Sequence, residues 1–146
     1  MNLIANNKKA YYDYFIEEKI ECGIVLTGTE IKSIRNRKCS IKESFVKILE
    51  NECFIIGMHI SPYENGNIWN VDSTRDRKLL LHKSEINKIK SKINETGYTL
   101  VPLSVYINDK GKAKVEIGIA KGKKKYDKRE SIKKKDLERS IKKDVY

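Results

Sequence analysis

Several groups of residues in this chain have types and spacings that could do chemistry. Glu21, Glu30 and either His59 or His82 are what an acid–base nuclease would need if the fold brought them together. No local catalytic constellation surrounds them, and a solvated strand face accounts for Glu17, Lys19 and Glu21 without catalysis. The run Gly118-Ile119-Ala120-Lys121-Gly122-Lys123-Lys124 has three residues between its glycines and then a second lysine. A phosphate loop has four, then Ser or Thr after its Lys, so that function is excluded. Cys22, Cys39 and Cys53 form no C-x-x-C pair and stand at no metal-ligand spacing from the histidines. They read as reduced structural thiols, and neither a metal nor a cofactor is expected. An RNA-binding set is better supplied. Lys8, Lys9, Tyr11 and Tyr12 interleave cations with rings, and structured RNA is gripped by cations on phosphates and exposed rings on unpaired bases. Tyr12 and Tyr14 read alternatively as core residues, Tyr14 at least as readily as part of that set. Glu21 belongs to an RNA-facing strand only if it accepts from base amino groups or sugar hydroxyls, because phosphate repels it.

The elements that must position these residues are legible in the apolar periodicity. From Tyr14 to Leu26 the even positions are apolar apart from Glu18, which predicts a long strand with one buried face. Thr27-Gly28-Thr29-Glu30 matches a capping box, so a short helix should follow to about Arg37. Ile31 and Ile34 would be its buried stripe, with Lys32, Arg35 and Lys38 as a basic surface. Ser44 to Leu49 and Cys53 to Ile60 read as a hairpin joined by Glu50-Asn51-Glu52, with Phe54, Ile56, Met58 and Ile60 alternating on one face. A loop with Trp69 runs from Ser61 to Asp76 and leads into Arg75-Asp76-Arg77-Lys78. A helix from about Lys83 to Glu95 carries Ile86, Ile89 and Ile93 on one face. Two strands, Tyr98 to Ile107 and Lys112 to Ala120, meet at a turn whose Gly111 can take the left-handed position. Pro102 puts the first of them at an edge or at a bulge. Five strands with short helices at two connections predict a mainly β chain, an OB-like antiparallel barrel over residues 1–120.

Of the 146 residues 31 are Lys or Arg and 20 are Asp or Glu, a net charge of +11. Residues 121–146 hold 12 of the basic and 5 of the acidic side chains, net +7 in a short tail. Such a segment favours a polyanion, because each neutralised phosphate releases a counterion. Leu137, Ile141 and Val145 repeat at helical spacing, and Glu130 with Lys134 and Glu138 with Lys142 have the supporting order. So short and polar a tail should be disordered alone and helical on binding. No apolar run approaches the roughly 20 residues that cross a bilayer, so no membrane association is expected. The N-terminus lacks the pattern of a secretory signal, and a cytoplasmic location is expected.

The ordered blocks Asn7-Lys8-Lys9-Ala10, Tyr14-Phe15-Ile16, Glu21 through Arg35, Arg77-Lys78-Leu79-Leu80-Leu81, Gly97 through Pro102, and Gly122-Lys123-Lys124 through Asp127-Lys128-Arg129 closely resemble the SmpB family of bacterial SsrA-binding proteins. The resemblance covers nearly the whole chain. It implies an OB-like barrel that binds the tRNA-like domain of transfer-messenger RNA, takes the place of its missing anticodon arm and brings it to stalled ribosomes. There the pair rescues the ribosome by trans-translation and tags the unfinished peptide. The partners implied are that RNA, the small-subunit rRNA of the ribosome, and elongation factor Tu within the charged complex, with the free protein a monomer. Residues expected to face the RNA are Asn7, Lys8, Lys9, Glu21, Lys32, Arg77, Lys78, Leu80 and His82, joined by Tyr14, Arg35 and Arg75. Gly122, Lys123, Lys124, Tyr126, Asp127, Lys128 and Arg129 are expected in the decoding centre, with Leu137 and Ile141 on a helix in the empty mRNA channel. Two rivals from other classes are a metal-assisted ribonuclease acting on tRNA-like substrates and a general rRNA-binding barrel.

Overall fold

The alternation that starts at Tyr14 forms the central strand of an antiparallel sheet. The computed structural model describes residues 2–62, 73–95 and 97–123. In chain order these form β1 (Asn2–Asn6), α1 (Lys8–Asp13), β2 (Tyr14–Ile24), α2 (Gly28–Arg35), β3 (Cys39–Ser40), β4 (Phe45–Leu49), β5 (Glu52–Ile56), β6 (His59–Ile60), β7 (Arg77–Leu80), α3 (Lys83–Ile93), β8 (Tyr98–Ile107) and β9 (Ala113–Gly122). The main sheet runs β1-β8-β9-β2-β7-β5-β4, and β3 pairs with β6. Its far strand β4 comes round against β8, so the sheet wraps a core of Ile20, Cys22, Ile34, Ile55, Leu79, Val105, Val115 and Ile117. The chain is mainly β, as the periodicity predicts. It has more strands than expected because β3, β6 and β7 are too short to show a period of their own and β1, Asn2–Asn6, has no alternation of apolar and polar residues.

The hairpin reading needs one correction. Cys53 and Ile55 are the buried residues of β5, not Phe54 and Ile56, whereas Met58 and Ile60 are buried as expected. Gly57, at φ +82°, inserts a step that swaps the faces on either side of it. A Cβ there would stand 2.8 Å from the Glu43 carbonyl oxygen.

Two bulges build a second, smaller core on the outside of the sheet. The β2–β9 register slips between Ile16 and Glu18, and the β8–β9 register slips between Pro102 and Ser104. Pro102 is therefore at a bulge, and β8 is no edge, since β1 and β9 flank it. The first slip turns Ile16 to the opposite face from Ile20 and Cys22. There it packs with Tyr14 on Ala10, Val101, Leu103 and Ala120. Gly118 makes the space, because a Cβ on it would lie 3.0 Å from Leu103 and 3.1 Å from Ile16. This outer core seats α1.

Helices α2 and α3 end where expected within about two residues, whereas α1 was not expected from the sequence. In α2 both halves of the capping box are made, Glu30 N–H to Thr27 Oγ1 at 3.3 Å and Thr27 N–H to Glu30 Oε1 at 2.9 Å. Ile86 and Ile89 bury α3, while Lys88 contacts Glu18 and Lys92 lies 3.4 Å from Glu17, tying the helix to β2. Glu18, the charged exception in the strand pattern, is thus a partner of α3. Strand β9 continues through Gly122, two residues past the end of the apolar alternation, with Lys121 opposite Phe15 and Gly122 opposite Tyr14.

Candidate nucleic-acid interface

With Ile20, Cys22, Val115, Ile117 and Leu79 turned inward, the residues between them must face out. Glu21 on β2, Lys114 and Glu116 on β9, and Lys78 and Leu80 on β7 therefore share the outer surface. The register sets Gly23 beside both Leu80 and Lys114, and Phe54 beside Lys78. Leu80 is 51% exposed and leans over Gly23, where a Cβ would lie 3.2 Å from its own Cβ. It forms a ridge between two grooves. One, of about 390 Å³, is lined by Gly23, Arg35, Lys112 and Lys114. The other, of about 450 Å³, is lined by Asn51, Glu52, Lys78, Lys83 and Asn87, with Lys78 Nζ 3.5 Å from Glu52 Oε2. An apolar ridge with cations on both flanks can take a sugar–phosphate chain across it, with phosphates in the grooves and a sugar or base against Leu80.

Of the residues expected at the site, Glu21, Arg35, Lys78 and Leu80 come together here. His82 is exposed at the exit of β7, its N–H donating to Glu85 Oε1 at 2.9 Å. Lys32 is exposed on α2. Asn7, Lys9 and Tyr14 line a separate cleft of about 260 Å³ with Lys42 and Phe45, and Lys8 is exposed beside it on α1. Asn7 is already engaged within the protein: Oδ1 accepts from Ala10 N–H at 3.2 Å and Nδ2 donates to the Pro102 carbonyl at 2.8 Å. It caps α1 and so sets the direction in which Lys8 and Lys9 project.

Arg77 corrects the expectation. It is 0% exposed, and its guanidinium donates to Glu30 Oε2 at 2.7 Å and to the carbonyls of Met58, Ser73 and Arg75. The alternation along β7 that turns Lys78 and Leu80 outward turns Arg77 and Leu79 inward, so the Arg77 side chain is held in the interior instead of on the outer surface where it was expected. Arg75 is 29% exposed, and it too grips Glu30, at 2.5 and 3.1 Å. Burial by itself would raise the Glu30 carboxyl, but Arg75, the Thr27 N–H and Arg77 outweigh it and hold it below its ordinary value. A carboxylate locked in this way is no partner for Glu21 in acid–base work.

Lys83, Lys112 and Lys114 are the groove cations that sequence reasoning did not single out. For Lys112 and Lys114 the signal was available, since they alternate with Ala113 and Val115. A further exposed group lies at the root of the tail. Tyr11, Tyr12 and Phe15 are 37, 78 and 48% exposed, Lys19 stands 5.2 Å from the Tyr11 ring centre and Lys123 5.1 Å from that of Phe15. Lys123 Nζ also donates to the Tyr11 carbonyl at 3.1 Å. Of the tail expectations, Gly122 ends β9 and Lys123 follows it. Lys124, Tyr126, Asp127, Lys128, Arg129, Leu137 and Ile141 lie outside the described residues, as does Trp69. Among the described residues no group of three or more His, Cys, Asp or Glu could hold a metal ion, and no helix is long and apolar enough to cross a membrane.

A family model described as SmpB protein matches residues 4–146. The SsrA-binding protein of Lachnoclostridium phytofermentans is 60% identical over 144 residues, 99% of this chain and 93% of that protein. Those of Caldicellulosiruptor bescii and Geobacillus kaustophilus are 57% identical over 98% of this chain and 60% identical over 95%, covering 90% and 89% of their own lengths. A solved structure described as "tmRNA-SmpB: a journey to the center of the bacterial ribosome" matches at a TM-score of 0.67 and 46% identity, over 81% of this chain and 82% of that one.

Proposed function

From the premise that this chain belongs to the SmpB family of SsrA-binding proteins, we propose that it binds transfer-messenger RNA in trans-translation and works with it on stalled ribosomes. It acts as a binding protein, with the barrel taking the tRNA-like domain. The observation that carries this reading is the Leu80 ridge between two grooves lined by Arg35, Lys112 and Lys114 on one flank and by Lys78 and Lys83 on the other. Phosphates neutralised there supply the salt-dependent part of the affinity. Glu21, on the same face, adds discrimination by accepting from a base amino group or a 2′-hydroxyl, which a phosphate-only contact lacks.

The basic tail, residues 121–146, is the segment that enters the decoding centre and the mRNA channel, with Gly122 and Lys123 at its start. There Tyr126 stacks on an rRNA base, and Leu137 and Ile141 lie on a helix. Elongation factor Tu joins the complex through the charged RNA. The site of action is the cytoplasm, where the ribosomes are.

The test is recovery of the RNA bound to the full chain in cells. Transfer-messenger RNA as the dominant species is expected, and bulk tRNA or rRNA in equal amount would point to a general RNA-binding barrel. In vitro, Lys78→Ala should lower the slope of log affinity on log salt by about one unit, the signature of one lost phosphate contact.

A further inference from the structure

Glu21 stands directly opposite Glu116 in the β2–β9 register. Like charges across a strand pair repel, and a free Glu21 side chain would turn from Glu116 toward water in several rotamers. Tyr106 removes that freedom. It lies one strand further on, in β8, paired with Lys114, and its hydroxyl reaches past β9 to donate to Glu21 Oε2. The neighbouring Val105 points into the main core, so the Tyr106 ring is on the outer side of the sheet, yet it is only 5% exposed. Burial, followed by the hydrogen bond and charge of Glu21 and the charge of Glu116, pushes its phenol well above the ordinary value, so it stays a donor at any physiological pH. Among the described residues no partner occupies Glu21 Oε1.

We propose that Tyr106 is a positioning residue for RNA recognition: by holding Oε2 it fixes the Glu21 carboxylate on the outer face and presents Oε1 in one orientation as an acceptor for a base amino group or ribose hydroxyl. The inference rests on the reading of Glu21 as an RNA contact. Without Tyr106 the carboxylate must be ordered when the RNA binds, and ordering one rotamer-rich side chain corresponds to about a 3- to 10-fold loss of affinity.

The experiment is a double-mutant cycle in the full chain with Tyr106→Phe and Glu21→Ala. Binding is measured to a transcript of the tRNA-like domain of transfer-messenger RNA over a range of salt. Tyr106→Phe alone should weaken binding by about 3- to 10-fold with no change in salt slope. On the Glu21→Ala background it should change affinity by less than about twofold, the usual limit of additivity for independent sites. Equal losses in both backgrounds, which a merely structural tyrosine would give, overturn the positioning role. So does wild-type affinity for Tyr106→Phe beside a weakened Glu21→Ala. In both cases Glu21 remains a contact. Wild-type affinity for Glu21→Ala would overturn the underlying reading as well.

Discussion

Glu30 is 3% exposed, with Arg75 and Arg77 on its carboxylate oxygens and the Thr27 N–H on one of them. Removing one member of such a buried set leaves the others charged and unpaired, so Glu30→Gln should cost about 3–5 kcal/mol in urea unfolding. The pH dependence has a definite sign. The folded carboxyl is held below the ordinary 4.5, so its contribution is complete above the unfolded pKa and is lost as pH falls through the folded one. An acid titration of the wild-type midpoint should show that loss below about pH 4.5, and Glu30→Gln should lack it. Neighbours fare differently by the pleat alone: Arg77 is fully buried while the Lys78 side chain is 43% exposed. Both are basic and both stood in the same motif, so residue type carried no sign of which would reach a nucleic acid. Cys22 and Cys53 are buried in the main core and Cys39 packs against it. Burial pushes the Cys53 thiol up to about 11 and Cys39 up to about 12, the opposite of what a nucleophile or metal ligand needs.

At the scale of elements, regular alternation was readable and its interruptions were not. Ala113, Val115, Ile117 and Ile119 do face the core as their spacing requires. The slips at Ile16/Glu18 and Pro102/Ser104 and the step at Gly57 each turn a face over, and only pairing with a neighbouring strand reveals them. Gly57→Ala should test the step. Its φ of +82° disfavours any Cβ, and that Cβ would meet the Glu43 carbonyl, so a loss of more than about 1 kcal/mol is expected by thermal unfolding. A change of less would mean that the hairpin relaxes around the substitution. By contrast, the capping box of α2 was complete in four consecutive residues, because a cap is a local hydrogen-bond pattern.

Over the whole molecule the charge divides at the end of β9. Lys121 and Gly122 still pair with Phe15 and Tyr14, so the folded unit extends past Ala120. On the proposed function, a chain ending at Lys123 should bind a transcript of the tRNA-like domain as the full chain does while losing peptide tagging in a translation assay. A chain ending at Ala120 should melt earlier, because it gives up that pairing and the hold of Lys123 on Tyr11 and Phe15. The sequence by itself determined the class of the fold, the buried face of β9, the cap of α2, the excess of positive charge toward the C-terminus and, through its ordered motifs, the resemblance to the family. These depend on contacts within a few residues or on composition. Tertiary structure alone decided that Arg77 turns inward to Glu30, that Leu80 rises between two basic grooves, and that Tyr106 reaches Glu21 from two strands away. Each joins residues about 45 to 85 positions apart or depends on strand register, where one residue of slip exchanges inside for outside.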